Sequence, residues 1–468
     1  MHVGVVAFFE ATSFRMESGE IDVRKMQDYV LSRIQRVPRC RQRLSRIPFL
    51  GHPIWVDDRQ FSIENHVRGI ALPEPGDEAT LRDLAATIFS RPLDRTKPLW
   101  EVHVVQGLRD PDRFAMICKV HHAMVDGVAG MDFIASLLSA EPVADIELAP
   151  RHLPRQAPHT VRLLLDEAAR VASAPGRLVR FARQLRADPA TRAAFRGRVT
   201  ALAFMLVRGI QGTSKSPMTK PSRPERMFGW FATDRSDERT IRARIGGSRD
   251  DVTLAVSTGA IRGLLLRNNA RLHSLRIKGM APINVRTKAQ RGELGNRVSM
   301  LIVELPVHEA DPRARIERII ERVAELKESK QLLGVDVLAQ IDEWTGTAAQ
   351  SIGNWLSARV RAANACVTNV PGPSSPLYAL ESQLLSMYPL APVFDGQLFN
   401  VTALSYLDKL EWGVHYAGDD REEFERFVAD LEVAFHELTA AAARTPPRIR
   451  LVPDPIEQDD VVEEAAGQ

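Results

Sequence analysis

The residues of this chain whose types and spacing could do chemistry are gathered in one stretch, His121-His122-Ala123-Met124-Val125-Asp126-Gly127. A neutral imidazole partly out of water is a suitable general base, and a carboxylate four residues on can fix whatever holds it. Gly127 supplies the freedom that a tight turn needs. Two other readings of these residues stay open: a satisfied core histidine followed by an Asp-Gly turn, and a metal site built on His and Asp. No third ligand stands at a recognisable spacing, so the metal reading ranks low.

Hydrophobic periodicity shows which elements must position them. Residues 113–120 alternate like a strand, with Phe114, Met116, Cys118 and Val120 on one face. Continued to its end, the strand puts His122 on that apolar face and His121 on the opposite one. Residues 128–140 then read as a helix, with Phe133, Ile134, Leu137 and Leu138 at helical spacing. Residues 101–105 pair with 113–120 as a hairpin. Upstream, Val3, Val5, Ala7 and Phe9 alternate in an opening strand. A helix over 23–37 carries Val23, Met26, Val30 and Ile34 as its stripe and ends at Pro38. Short strands are expected over 53–56 and 61–67, and a helix around Leu81, Leu84, Ala85 and Ile88. Further on, the pattern predicts helices over 251–267 and after Asp311-Pro312, an N-cap followed by Pro at the first helical position. It also predicts strands over 275–285 and 300–305, a hairpin over 398–404 and 410–416, and a last helix striped by Phe424, Phe427, Leu431, Phe435 and Leu438.

A length of 468 residues exceeds one ordinary core, so two domains are expected. The first covers 1–140 and holds the histidine stretch. A Pro- and Ala-rich linker and a basic helical crossover fill 141–225, the second domain covers 226–445, and 446–468 is an acidic tail that reads as disordered. There is no internal repeat. A hydrophobic fraction of 44% is that of a soluble protein, and a net charge of +3 gives no footprint for nucleic acid. The basic isoelectric point is compatible with an anionic ligand or membrane surface without demanding either. Cys40, Cys118 and Cys366 are far apart and odd in number, which fits a reducing compartment better than a disulfide framework. The N-terminus already reads as a strand rather than a signal peptide, and no run approaches the ~18 apolar residues of a membrane span. A cytoplasmic location follows. Between 162 and 198 stand nine arginines against Asp166, Glu167 and Asp188. Such a helix either lies on an anionic membrane or is a solvated crossover packed on the domains.

The HHxxxDG pattern resembles the active-site motif of the chloramphenicol acetyltransferase-like, CoA-dependent acyltransferases, which include plant acyltransferases and peptide-synthetase condensation domains. Four further blocks stand in order with it: Pro98-Leu99-Trp100, Leu294-Gly295-Asn296-Arg297-Val298-Ser299, Asn369-Val370-Pro371-Gly372-Pro373, and Gly396-Gln397 with Ser405-Tyr406. Together, from Met1 to about Arg444, they resemble the bacterial wax ester synthase/diacylglycerol acyltransferase family, especially its actinobacterial triacylglycerol synthases. Three departures accompany the likeness. The family's chains begin some way upstream, whereas Met1 here opens directly on the first strand, as a misassigned start or a truncation would. Asp250 stands before Asp251-Val252-Thr253-Leu254-Ala255 where the family has an asparagine. Asp408 stands where a glycine is common.

The resemblance implies an α/β (α+β) fold of two chloramphenicol acetyltransferase-like domains, each a mixed sheet flanked by helices, joined by a helical crossover, with the reaction centre in a tunnel between them. His122 would take the proton from an alcohol as its oxygen attacks the thioester carbonyl of acyl-CoA. His121 would orient or pack. Asp126 would pair with an arginine, Arg286 being the candidate, to hold the turn at Gly127. Asp251 and Asn296 would support the site. Asn369, Ser405 and Tyr406 would touch the substrate or its oxyanion, with plain turn and hairpin roles as the alternative. No metal and no tightly bound cofactor is implied; acyl-CoA enters as substrate. The partners implied are long-chain acyl-CoA and diacylglycerol or a fatty alcohol, with peripheral attachment to the cell membrane or lipid droplets. No serine or cysteine lies in a nucleophile motif such as GxSxG, which favours direct transfer over an acyl-enzyme. A condensation-like enzyme using carrier-bound acyl groups would lack the PLW and NVPGP blocks together. A non-catalytic lipid-binding homologue is disfavoured by the intact His122 and Asp126.

Overall fold

In the computed structural model of the chain, the described residues are 2–48, 52–124, 136–147, 152–189, 192–193, 195–196, 213–214, 216–219, 226–284, 298–328, 363–394 and 396–446. Among the described residues fourteen strands run in chain order. β1 (His2–Glu10), β2 (Gln42–Arg46), β3 (Pro53–Asp57), β4 (Val67–Ala71), β5 (Trp100–Gln106) and β6 (Arg113–His121) come first. β7 (Met227–Asp234), β8 (Ile277–Asn284), β9 (Val298–Leu305) and β10 (Ala365–Val370) follow. β11 (Tyr378–Ala379), β12 (Ser382–Leu390), β13 (Phe399–Tyr406) and β14 (Lys409–Tyr416) complete the set. The helices are α1 (Val23–Arg33), α2 (Glu78–Ser90), α3 (Thr160–Ala187), α4 (Arg235–Arg244), α5 (Arg249–Arg267), α6 (Pro312–Glu328) and α7 (Arg421–Ala443).

Two mixed six-stranded sheets organise the molecule, in the orders β11-β12-β1-β6-β5-β4 and β7-β14-β13-β10-β8-β9; β2 and β3 form a separate hairpin. In the first sheet β1 pairs antiparallel with both β6 and β12. One face of that sheet packs on α1 around Met26, Tyr29 and Val30, and the other on α2 around Leu81, Ala85 and Phe89. In the second sheet β8, β10 and β13 run parallel. Helices α5, α6 and α7 cover it, with Val256, Ile319, Phe427 and Leu431 in one core.

Several expectations shift. The helix begun at Val23 leaves α geometry at Arg33 and continues as 3₁₀ turns around Pro38, which cannot extend an α-helix. The strand expected over 61–67 is a 3₁₀ turn, Ile63–Asn65, followed by β4. Strands β7, β11 and β12 and helix α4 had no clear periodic signal. β12 carries Pro389, which argues against an interior strand by itself. Its membership matters, because residues 378–390 belong by sequence to the second half but complete the first sheet. The helix expected over 128–140 and the acidic tail lie largely outside the described residues.

Helix α3 has its side chains mostly in water. Val161, Leu165 and Val179 are exposed on it, and so are Arg180, Arg183 and Arg186. Its first half is tethered to the β2–β3 hairpin by His52 facing Glu167 at 3.7 Å, and the lead-in by Arg155 N–H donating to Asp57 at 2.9 Å.

Candidate active site

The site is built from the end of β6. Alternation buries Phe114, Met116, Cys118 and Val120 on the α1 face and Ala115, Ile117 and Lys119 on the α2 face. The strand runs one residue past the expected end, to His121, and His122 begins the turn. So His121 shares a face with Lys119, as the period-two reading requires, while His122 stands in the turn beyond the alternation.

His121 staples the turn that carries His122. Its carbonyl accepts the Met124 N–H at 2.9 Å, and its Nδ1 accepts the Ala123 N–H at 3.1 Å. An accepting Nδ1 puts the ring proton on Nε2. Burial first, then the N-terminal ammonium, Arg95 and His122, push the His121 pKa down to about 4, so the ring is neutral at neutral pH. His2 lies across the ladder and meets His121 edge-on at 5.8 Å.

The Pro98-Leu99-Trp100 block holds the same strand end from the other side. The Leu99 carbonyl accepts the His121 N–H at 2.9 Å. Trp100 is Val120's partner across the β5–β6 ladder. Its indole N–H donates to Cys40 O at 2.9 Å, and its carbonyl accepts from His66 Nδ1 at 2.8 Å. His66 stacks on Trp100 at 4.5 Å and on Phe61 at 5.2 Å, and the Arg41 guanidinium covers Phe61 at 5.0 Å. The block is therefore scaffold: it contributes a carbonyl and an aromatic stack, not a reacting group.

The second sheet brings its contribution to the carboxyl ends of its parallel strands, where α/β sheets commonly open a ligand crevice. Asn369 lies near the end of β10 and Ser405-Tyr406 closes β13, one register step beyond Val370↔Leu404. Val370, Leu404 and Tyr406 share one apolar cluster with Val120 and Cys118 of β6, and Met124 packs against it. Residues flanking His122, Asn369 and Ser405 thus meet in one core although three separate segments supply them.

These candidates differ in what they have left to offer. The Tyr406 hydroxyl donates to Leu384 O at 2.8 Å and accepts the Leu377 N–H at 3.1 Å. Its one proton is spent on tying β13 to β12, so as an oxyanion donor Tyr406 is replaced by a structural clamp. Ser405 Oγ accepts the Gly372 N–H at 3.1 Å, and among the described residues its own proton has no acceptor. A Cβ on Gly372 would stand 2.0 Å from the Ser405 carbonyl, so only glycine lets the turn approach β13. Asn369 Oδ1 is buried without a partner among the described residues. Asp251 supports α5 directly: its Oδ2 accepts from Ser248 N at 2.7 Å and from Ser248 Oγ at 2.8 Å, a reciprocal capping box. Where a glycine is common at Asp408, the left-handed residue of the β13–β14 turn is Leu407, with φ of 51°. Asp126, Gly127, Arg286 and Asn296 lie outside the described residues.

Sequence reasoning missed one feature beside these. Lys119, Glu101 and His103 form a buried polar cluster on the α2 face of the first sheet; their alternation with apolar residues was the available signal. Among the described residues no group of three or more His, Cys, Asp or Glu side chains could hold a metal ion, and no helix is long and apolar enough to cross a membrane.

Comparison with known proteins places these features in context. Residues 1–253 match the model of the wax ester synthase/diacylglycerol acyltransferase catalytic domain, and residues 294–439 match that of the WS/DGAT C-terminal domain. The O-acyltransferase WSD of Acinetobacter baylyi is 30% identical over 425 residues, 88% of this chain and 87% of the relative. The tgs1 protein of Mycobacterium tuberculosis, named a probable diacylglycerol O-acyltransferase, is 29% identical over 415 residues with the same coverage. In fold, the chain is similar to the wax ester synthase/diacylglycerol acyltransferase of Marinobacter aquaeolei VT8, with a TM-score of 0.66, 24% identity and 95% of each chain covered. It is also similar in fold to the starter condensation domain of rhizomide synthetase, with a TM-score of 0.55, 13% identity, and 95% and 90% covered.

Proposed function

The chain belongs to the wax ester synthase/diacylglycerol acyltransferase family, and from that membership we propose that it moves a long-chain acyl group from acyl-CoA to the hydroxyl of diacylglycerol, making triacylglycerol, with fatty alcohols as weaker acceptors. The observation that carries the reading is the placement of His122 on a turn fixed at both neighbours, directly after a buried strand end. His122 takes the acceptor's hydroxyl proton while the oxygen bonds to the thioester carbonyl. The tetrahedral oxyanion collapses, the carbon–sulfur bond breaks, and the imidazolium returns the proton to the CoA thiolate. Asn369 and Ser405 are the donors for the oxyanion.

Purified protein with palmitoyl-CoA and either dioleoylglycerol or hexadecanol tests this, reading free CoA and the lipid product. His122→Ala, checked for folding, is expected to lower turnover at least ~10²-fold, the lower end for loss of a general base. Wild-type turnover in a folded His122→Ala protein rejects the base; no CoA release with either acceptor rejects the substrates.

Attachment to an anionic membrane or lipid-droplet surface belongs to the same reading. It is supported by α3, whose exposed Val161, Leu165 and Val179 share the helix with exposed Arg180, Arg183 and Arg186. Flotation with anionic vesicles should show binding that weakens with salt; no binding at low salt rejects it.

A further inference from the structure

Three half-buried arginines, Arg39, Arg41 and Arg43, lead into and begin β2. Among the described residues none of them has a carboxylate within ion-pair distance. The acids of the same hairpin are used elsewhere. Asp57 accepts from Gln42 Nε2 at 3.0 Å and from the Arg155 N–H at 2.9 Å, and it faces His152 at 3.8 Å. Asp58 accepts the Gln60 N–H at 3.0 Å.

Aromatic rings hold two of the arginines in place. Arg39 lies over Trp55 at 4.5 Å and Arg41 over Phe61 at 5.0 Å. The Arg41 Nε is buried and donates to nothing among the described residues. A guanidinium drawn partly out of water without a counter-charge is unfavourable until an anion meets it. Both Arg41 and Arg43 are tied to the block that holds the catalytic turn. Phe61 stacks through His66 onto Trp100, so Arg41 ends a column that starts at Trp100. Arg43 forms a β-bridge with Pro98. Between Pro98 and Trp100, the Leu99 carbonyl takes the His121 N–H. Arg41 and Arg43 flank Gln42, the spacing at which strand residues share a face. Arg43 pairs with Val56, whereas Arg39 covers Trp55, one residue back and on the other face of the hairpin.

We propose that Arg41 and Arg43 form a phosphate-binding station that takes the nucleotide phosphates of acyl-CoA. The guanidinium fork offers paired donors that match phosphate oxygens. The pantetheine arm separates the thioester from those phosphates. The cations that hold them therefore belong beside the segment carrying the base, not against its imidazole. A lipid headgroup offers the same phosphate chemistry, and the test separates the two sources. The inference rests on acyl-CoA as the donor.

The test compares palmitoyl-CoA with S-palmitoyl-pantetheine, which has the same thioester and arm and no nucleotide phosphate. In Arg41→Gln and in Arg43→Gln, the ratio of kcat/KM for the first donor to that for the second should fall roughly 10- to 10²-fold, the worth of one hydrogen bond to a charged group. Arg39→Gln should keep the wild-type ratio. Calorimetry with CoA alone needs no turnover: wild type should bind it, and the double variant should bind it at least roughly 10-fold more weakly. Wild-type ratios in both single variants, or equal CoA binding by wild type and double variant, overturn the station. Unchanged ratios with flotation on phosphatidate vesicles lost in the double variant assign the pair to lipid phosphate and overturn the CoA assignment. Turnover of neither donor by wild type, with CoA binding that the double variant loses, overturns the proposed transfer and leaves the station standing.

Discussion

One glutamate in each sheet is withdrawn from water, Glu101 half-buried and Glu411 buried, and their protons behave in opposite ways. Glu101 of the first sheet faces His103 at 3.0 Å and Lys119 at 3.7 Å. Burial alone would raise its carboxyl, but the His103 hydrogen bond and the Lys119 charge outweigh that and hold it below the usual range. Glu411 of β14 is 1% exposed, and its hydrogen-bond donor among the described residues is the Met387 N–H of β12 at 2.6 Å. Burial pushes it up to about 8, against that one bond. Burial raises both carboxyls, and the cationic partner beside Glu101 reverses the outcome there. The first sheet closes over a paired charge cluster. The seam where β12 meets the second sheet closes over neutral hydrogen bonds, including His415 Nδ1 donating to Ala391 O at 2.7 Å and Asn400 Nδ2 donating to Pro392 O at 2.8 Å.

The largest effect is expected where the paired cluster is broken. Lys119→Met leaves Glu101 with His103 alone and releases the Ile88 and Arg91 carbonyls at the end of α2. A loss of ~3–5 kcal/mol in urea unfolding is expected, the usual cost of removing one partner of a buried pair. A loss below that of an exposed pair would show that the cluster is neutral like the seam.

Glu411→Gln sharpens the other side. The folded pKa of Glu411 lies above the unfolded carboxyl value, so folding favours its proton. That stability is full below the unfolded pKa, falls as pH rises towards about 8, and is gone above it. Glutamine keeps an acceptor for Met387 without titrating. The variant should match wild type near the unfolded carboxyl pKa and exceed it by a few kcal/mol at alkaline pH, read by thermal unfolding across pH. Parallel curves would mean that Glu411 is ionised and partnered. Glu101 works with the opposite sign: its contribution is present above the unfolded pKa and lost as pH falls through the lower folded one.

Gly413 marks how tightly the seam is shut. A Cβ there would stand 1.7 Å from the Pro389 carbonyl, so Gly413→Ala must part β14 from β12. A loss of ~1–3 kcal/mol is expected, as for other overpacked cores, and a neutral outcome would show that the seam yields. The smallest effect belongs to Arg421–Asp83, which joins α7 to α2 at 2.6 Å with both side chains more than half exposed. Arg421→Ala should change stability by about 0–1 kcal/mol; a larger loss would place a strong charge pair at the seam after all.

Much of the site was legible in the residue order. Alternation from Phe114 to Val120 set the face of His121, and the strand extends only one residue further than read. Asp311-Pro312 opens α6 as expected, with the Asp311 carboxylate accepting the Ala314 N–H at 3.0 Å. The β13–β14 hairpin and the final helix also stand where their periods put them. These are effects between residues a few positions apart, so the sequence by itself determined them.

Tertiary structure alone decided the rest. It placed β12 beside β1, gave the Tyr406 proton to Leu384 O, and met Glu411 with a backbone N–H rather than a cation. A ladder partner hundreds of residues away leaves no local period. Whether a carboxyl keeps its proton depends on the water removed around it and the charge brought near, and both are set only when the two sheets close on each other.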